Sequence, residues 1–182
     1  MRHTILARRY AKALFSLGKE QGTTEKYSAI LAEIAALYDD RSVGVRDAVT
    51  NPLYPIDVRQ KIMAKLAELS QADTIMTNFL NLLIEKKRAD ILPDIAHEMQ
   101  VIVDKDQNIS RGSIISAIEL DSALLKKIQS TLEKITGSKV ILETQVDSSI
   151  IGGIIAKVGD LVLDGSIRTQ LNGLKESIKG RE

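Results

Sequence analysis

The residues that invite a chemical reading lie near the C-terminus: Gly152-Gly153, then Val158-Gly159-Asp160, then Asp164-Gly165-Ser166 ahead of a helical pattern. A glycine loop entering a helix exposes backbone N–H groups, so phosphate binding is the chemistry such an arrangement would do. The spacing matches neither a Walker pattern nor the dinucleotide fingerprint. Asp164-Gly165-Ser166 reads instead as a tight turn with Ser166 as a helix cap, and Gly152-Gly153 as a bulge or close backbone approach. His3 and His97 are the two histidines, and they do not have metal-ligand spacing. Asp39-Asp40 and Asp104-x-Asp106 fall at helix ends, where solvated acids are expected rather than an acid–base pair. Ser42, Ser70 and Ser166 occupy capping or turn positions, and no nucleophile is accompanied by a base. Cysteine is absent, which removes disulfides, thiolate metal sites and thiol nucleophiles. The expectation is a chain with no catalytic residue, no metal and no cofactor.

Composition supports a folded, mainly helical protein. Of 182 residues, 44% are apolar and 27% charged, ordinary values for a globular chain. Aromatics are 3% and tryptophan is absent, so the core must be built from Ile, Leu, Val and Ala. Net charge is +1, and the balance is even along the chain: 15 basic against 14 acidic residues through Lys105, then 10 against 10. A nucleic-acid footprint needs a basic face, and the local excess at Arg2, Arg8, Arg9 and Lys12 reads as a solvated helix side. No apolar run approaches the length of a membrane span, so the chain is expected to be neither secreted nor membrane-spanning.

The elements that position these residues follow from hydrophobic spacing. Leu6, Tyr10, Ala13, Leu14 and Leu17 mark a first helix that stops at Gly22; Tyr27, Ile30, Leu31, Ile34 and Leu37 mark a second after a cap at Thr23-Thr24-Glu25. A short helix over 42–49 ends before Asn51-Pro52, and Pro55 opens the next, carrying Val58, Ile62, Leu66 and Leu69. Ser70-x-x-Asp73 reads as a capping box for a helix with Ile75, Phe79, Leu82 and Leu83. Pro93 starts another with Ile95, Met99, Ile102 and Val103. The helical pattern fades over 105–108, which places a boundary there, with domains at 1–106 and 107–182. Beyond it, alternating Ile114, Ser116 and Ile118, then Val140, Leu142, Thr144 and Val146, predict strands of a small sheet. Between them Asp121 caps a helix closed by Gly137. Residues 150–163 read as one long strand, and Ser166 caps a last amphipathic helix with Ile167, Leu171, Leu174 and Ile178 on one face. The fold class is mainly α with a smaller α/β part.

Three stretches carry a family resemblance: Ala7-Arg8-Arg9-Tyr10-Ala11-Lys12-Ala13-Leu14-Phe15; Asn78-Phe79-Leu80-Asn81-Leu82-Leu83 followed by Lys87-Arg88-Ala89-Asp90-Ile91-Leu92-Pro93; and Gly152-Gly153 through Gly159-Asp160 to Asp164-Gly165-Ser166-Ile167-Arg168. In this order they resemble the delta (oligomycin-sensitivity-conferring) subunit of F-type ATP synthases, over nearly the whole chain. At Lys86-Lys87-Arg88 the sequence departs from the family, which often has glycine before the arginine.

The resemblance implies an N-terminal six-helix bundle and a small α/β C-terminal domain. It implies a non-catalytic stator subunit joining the catalytic head to the peripheral stalk during proton-coupled ATP synthesis, with the N-terminal bundle on the N-terminal helix of an alpha subunit and the C-terminal domain on the C-terminal region of the b subunit. No nucleic acid is implied, and the membrane only through the complex, on the cytoplasmic face of a bacterial inner membrane. Carried over from the matching stretches, Ala7, Tyr10, Ala13, Leu14, Phe79, Leu82 and Leu83 are the expected alpha-binding residues. Gly152, Gly153, Gly159, Asp160, Asp164, Gly165 and Ser166 are expected to be structural. The competing reading is a nucleic-acid or ribosome-associated adaptor, which the even charge disfavours.

Overall fold

The computed structural model describes the backbone of residues 2–40 and 44–179, with side chains other than those of residues 2–4, 39 and 176–179. Ser42 and the side chains of Arg2, His3, Asp39 and Ile178 therefore lie outside the described residues. The chain divides into two compact units, Met1–Val103 and Asp104–Glu182.

In the first unit, apolar residues three and four apart generate α1 (Arg2–Gln21), α2 (Thr24–Asp39), the short α3 (Val45–Thr50), α4 (Ile56–Leu69), α5 (Thr74–Glu85) and α6 (Leu92–Asp106), whose last residues pass into the second unit. A 3-10 turn at Ala89–Ile91 leads into α6. Glycine and proline mark the stops of α1 and α3, whereas left-handed Gln71, Lys87 and Asn108 follow α4, α5 and α6. Gly22 takes the left-handed conformation after α1 at φ 68°, and Asn51-Pro52 follows α3. One start differs from expectation. Asp73 itself caps α5, its carboxylate accepting the Met76 N–H at 2.8 Å, while Ser70 ends α4. An acid is the stronger partner for the unmet N–H groups of a first turn because it also opposes the helix dipole.

The interior of this unit is one cluster containing Ala7, Ala11, Leu14, Tyr27, Leu31, Ile34, Met63, Leu80, Leu83 and Ile95. Tyr27 is fully buried by side chain yet polar at its tip. Its hydroxyl donates to Asp73 at 2.6 Å. Burial and then this bond raise the phenol's pKa. Burial is also the largest influence on Asp73 and acts to raise it, but the Tyr27 hydroxyl, the Met76 N–H and Lys26 together hold the carboxyl below its usual value.

The second unit is a four-stranded sheet in the order β2-β1-β3-β4. Its strands are β1 (Ile109–Ser116), β2 (Lys139–Val146), β3 (Ile154–Val158) and β4 (Leu161–Asp164). β1 and β2 are parallel, which requires a crossover, and α7 (Ser122–Thr136) supplies it. Gln129 on α7 donates to the Val140 carbonyl oxygen at 2.8 Å, and Glu133 accepts the Val140 N–H at 3.1 Å. These bonds fasten α7 to the start of β2 over a small core of Ile114, Leu132, Val140, Ala156 and Val158. Gly137 ends α7 in the left-handed conformation. The chain closes with α8 (Ile167–Lys179).

Two expectations change here. The single strand expected over 150–163 is a hairpin: Val158 pairs with Leu161, and Gly159 at φ 57° makes the reversal that an apolar run conceals in sequence. Strand β1 also begins earlier than the alternation suggested, at Ile109, and ends at Ser116, leaving Ile118 exposed.

Replacing Asp73 by alanine should cost the N-terminal unit about 1–2 kcal/mol at neutral pH, read by urea unfolding followed by circular dichroism. Because the folded-state pKa of Asp73 is depressed, the stability it contributes is present above the unfolded carboxyl pKa of about 4 and is lost as pH falls through the folded value. The gap between wild type and Asp73→Ala should therefore narrow in acid; a gap that stays constant down to pH 2 would contradict this account.

Candidate functional site

Among the described residues, no group of histidines and acids has the arrangement of a metal site. His97 is exposed on α6. Its neighbour Glu98 is buried and accepts from Arg8 Nε at 3.0 Å, a structural ion pair between α6 and α1. Asp104 is likewise not the solvated helix-end acid expected: it is buried and takes both Nε and Nη2 of Arg111, at 2.6 and 3.2 Å. The fork-on-carboxylate geometry offsets the desolvation of the acid.

The glycine-rich stretch is built as a structural joint. Asp164 accepts the Ser166 N–H at 2.9 Å and the Thr169 hydroxyl at 2.8 Å. Ser166 Oγ accepts the Thr169 N–H at 3.2 Å, so the expected cap is present. Hydrogen bonds from the Ser166 N–H, the Ser166 side chain and Thr169 hold the Asp164 carboxyl below its ordinary pKa. The Gly165 N–H donates to the Ile154 carbonyl oxygen at 2.9 Å, and the Ile167 N–H to the Gly152 carbonyl oxygen at 3.0 Å. These N–H groups have internal partners, so the turn does not hold them out as a phosphate cradle. Gly153, at φ 80°, packs so closely that a Cβ would collide with the Gly165 carbonyl oxygen, and a Cβ at Gly152 would lie 2.7 Å from Ile167 Cδ1. Asp160 is exposed in the β3–β4 turn.

Apolar surface remains as the functional candidate. On α1, Ala7, Ala11 and Leu14 are fully buried. The adjacent stripe, Leu6, Tyr10, Ala13 and Leu17, passes from half-buried to exposed, with Leu17 at 44%. Tyr10 meets Phe79 of α5 edge to face, centroids 6.2 Å apart and planes at 72°. This pair brings the two helices together. Ala7, Leu14 and Leu83, expected as partner-binding residues, are enclosed by the bundle core and offer no surface. They are small or branched residues on the inward side of their helices, where helical spacing alone does not distinguish a groove from a core. Phe79 is nearly buried beneath Tyr10. Ala13 is exposed, and Leu82 is exposed in a groove of about 540 Å³ between α4 and α5 with a mostly polar rim of Asp57, Lys61, Asn78, Asn81 and Glu85. Leu17 and Ile5 are exposed apolar residues on α1 not among the expected set; Leu17 is signalled by its position seven residues after Tyr10.

The C-terminal unit leaves more apolar surface uncovered. Ile167, Leu171 and Leu174 are exposed along α8. An apolar trough of about 410 Å³ runs between α7 and the sheet, lined by Leu124, Ile128, Ile154 and Leu163 among others. Exposed aliphatic surface of this extent makes the face a candidate interaction surface.

Comparison with known proteins agrees with this architecture. The family model for the ATP synthase delta (OSCP) subunit matches residues 6–178. ATP synthase subunit delta of Desulfotalea psychrophila is 61% identical over 182 residues, spanning 100% of both chains. That of Desulfosudis oleivorans is 41% identical, covering 100% of this chain and 99% of its own. In the cryo-EM structure of the Toxoplasma gondii mitochondrial ATP synthase hexamer, one chain superposes with a TM-score of 0.72 at 22% identity, covering 95% of this chain and 97% of that one, which shows a shared fold. With a helical unit, a small α/β unit, uncovered apolar faces and a full-length match, the chain belongs to the ATP synthase delta (OSCP) subunit family.

Proposed function

We propose that the exposed stripe of α1 around Tyr10, Ala13 and Leu17 takes up the N-terminal helix of an alpha subunit, and that the α8 face and adjoining trough take up the C-terminal region of a b subunit. As a member of its family the chain is a non-catalytic stator subunit of F-type ATP synthase. Among the described residues no helix is long and apolar enough to cross a membrane, and the protein is peripheral to the membrane complex. Its proposed place is the cytoplasmic face of a bacterial inner membrane.

The observation that carries the partner reading is the pairing of an enclosed stripe on α1 with an uncovered apolar stripe beside it. A rotating central shaft would drag the catalytic head around with it unless the head is held, so the holding contacts must resist torque for many turnovers. Slow dissociation is what such a link requires. A protein interface of standard size buries about 800 Å² per partner, and two grips in one chain raise each other's effective concentration. A helix laid into an apolar groove is a recurrent way to build such a grip.

Ala13→Asp and Leu17→Asp should weaken binding of an alpha N-terminal peptide at least about tenfold. Because both sites are exposed, unfolding should shift by only about 0.5 kcal/mol. Leu14→Asp, in the core, should instead destabilise the bundle by about 4 kcal/mol or more. Normal peptide affinity in both surface variants, measured by isothermal titration, would remove α1 as the grip.

Leu171→Asp with Leu174→Asp should likewise abolish capture of a peptide from the C-terminal region of b and leave alpha-peptide affinity unchanged. Gly153→Ala tests the joint that carries α8: strain and collision should destabilise the C-terminal unit by about 2–4 kcal/mol and release the b peptide without altering the unfolding of the helical unit. Retained b binding in both variants would sink the assignment of this face.

A further inference from the structure

Arg59 on α4 is only 8% exposed, and its Nε meets no hydrogen-bond acceptor. Burying a guanidinium is strongly unfavourable unless its N–H groups find partners; Nε is closed off from solvent, so a ligand entering from outside would meet the two Nη groups. Arg59 lines a cavity of about 420 Å³ together with Lys87 and Asp90, walled by the apolar Val49, Pro52 and Ile84. Among the described residues no ion pair joins Asp90 to either cation. Two cations against one carboxylate leave the cavity positive. Thr50 at its edge is already engaged, donating to the Arg46 carbonyl oxygen at 2.7 Å.

Lys87 has an unusual placement. It takes the left-handed conformation at φ 55°, which glycine adopts without strain, and its N–H bonds the Ile84 carbonyl oxygen at 2.9 Å to end α5. The turn needs that conformation, and Lys87 lines the cavity with a cationic side chain that glycine would not supply. The Tyr38 hydroxyl, Thr23 Oγ1 and Asn81 Oδ1 are the other buried side-chain polar atoms described in this unit without a partner. Burial first, and then the charge of Asp90, raise the Tyr38 pKa, with Arg46 opposing.

We infer that this cavity is a binding site for a small oxyanion of the phosphate class, held by the buried Arg59 guanidinium and the Lys87 ammonium. Phosphate fits because a guanidinium binds it through a directed N–H fork, and a lysine adds a mobile point charge. The volume leaves room for the ion and retained waters. The site is independent of the partner surfaces: Ile84 faces inward from α5, whereas Leu82 faces out.

Isothermal titration of the full-length protein with inorganic phosphate, at constant ionic strength with chloride as the balancing salt, tests this. Wild type should bind saturably and more tightly than it binds acetate, and its unfolding temperature should rise with phosphate. Lys87→Gly relieves the turn and should fold at least as stably, yet bind phosphate about tenfold more weakly. Arg59→Met should abolish binding, and Asp90→Asn, which removes the competing carboxylate, should tighten it several-fold. ADP binding with the same dependence on these variants would support the site with a phosphoryl group as its ligand. No saturable phosphate binding by wild type, preference for acetate, or equal affinity in wild type and Lys87→Gly would overturn the proposal and leave a water-filled cavity.

Discussion

One side chain organises the helical unit. Tyr27 lies against α1 where Gly18 has no side chain, a Cβ there coming within 3.0 Å of the Tyr27 ring, and its hydroxyl ends on the Asp73 cap of α5. The ring thus sets how near α2 and α1 approach, and the hydroxyl ties both to the start of α5. A buried phenol is stable only when its O–H has a partner, so ring and cap depend on each other. Everything the exposed stripe of α1 presents follows from this, because the Tyr10–Phe79 pair forms only where α1 and α5 are held side by side.

The second unit solves a different problem with different means. Its core is small, and cohesion comes from backbone pairing, the bonds from Gln129 and Glu133 to Val140, and the close passage of Gly153 beneath Gly165. The same passage aims α8, whose first N–H is held by Gly152. The glycines and acids that resemble reactive residues in a linear reading are engaged in holding a helix in place. In a stator subunit this tight geometry joins α8 stiffly to its domain.

Charge is used sparingly and locally in both units. Glu98 with Arg8 and Asp104 with Arg111 pair buried acids with half-exposed arginines, so the desolvated partner of each pair is satisfied. Arg59 breaks that rule, a buried cation whose Nε has no acceptor within the protein. This contrast separates it from the surrounding structural pairs.

Much of this is legible in the linear order of residues. Helical spacing locates α1, α2 and α4 to α6; Gly22 and Pro52 mark the ends of α1 and α3; Gly137 and Ser166 bound α7 and α8 by local backbone chemistry that needs no distant partner, while Asp121 stands at the start of α7 without a side-chain cap bond. The family, too, is readable from three ordered motifs. Three things are not. The strand over 150–163 hides a reversal at Gly159, because an apolar run reads the same whether straight or folded back. Ser70 and Asp73 look like one cap, although only the finished packing assigns one to the end of α4 and the other to the start of α5. Ala7, Leu14 and Leu83 resemble groove residues as much as core residues until neighbouring helices cover them. Short-range preferences are encoded residue by residue, and this chain declares them openly; which apolar faces meet each other and which stay uncovered depends on long-range packing, where every helix offers several faces and only their mutual fit selects among them.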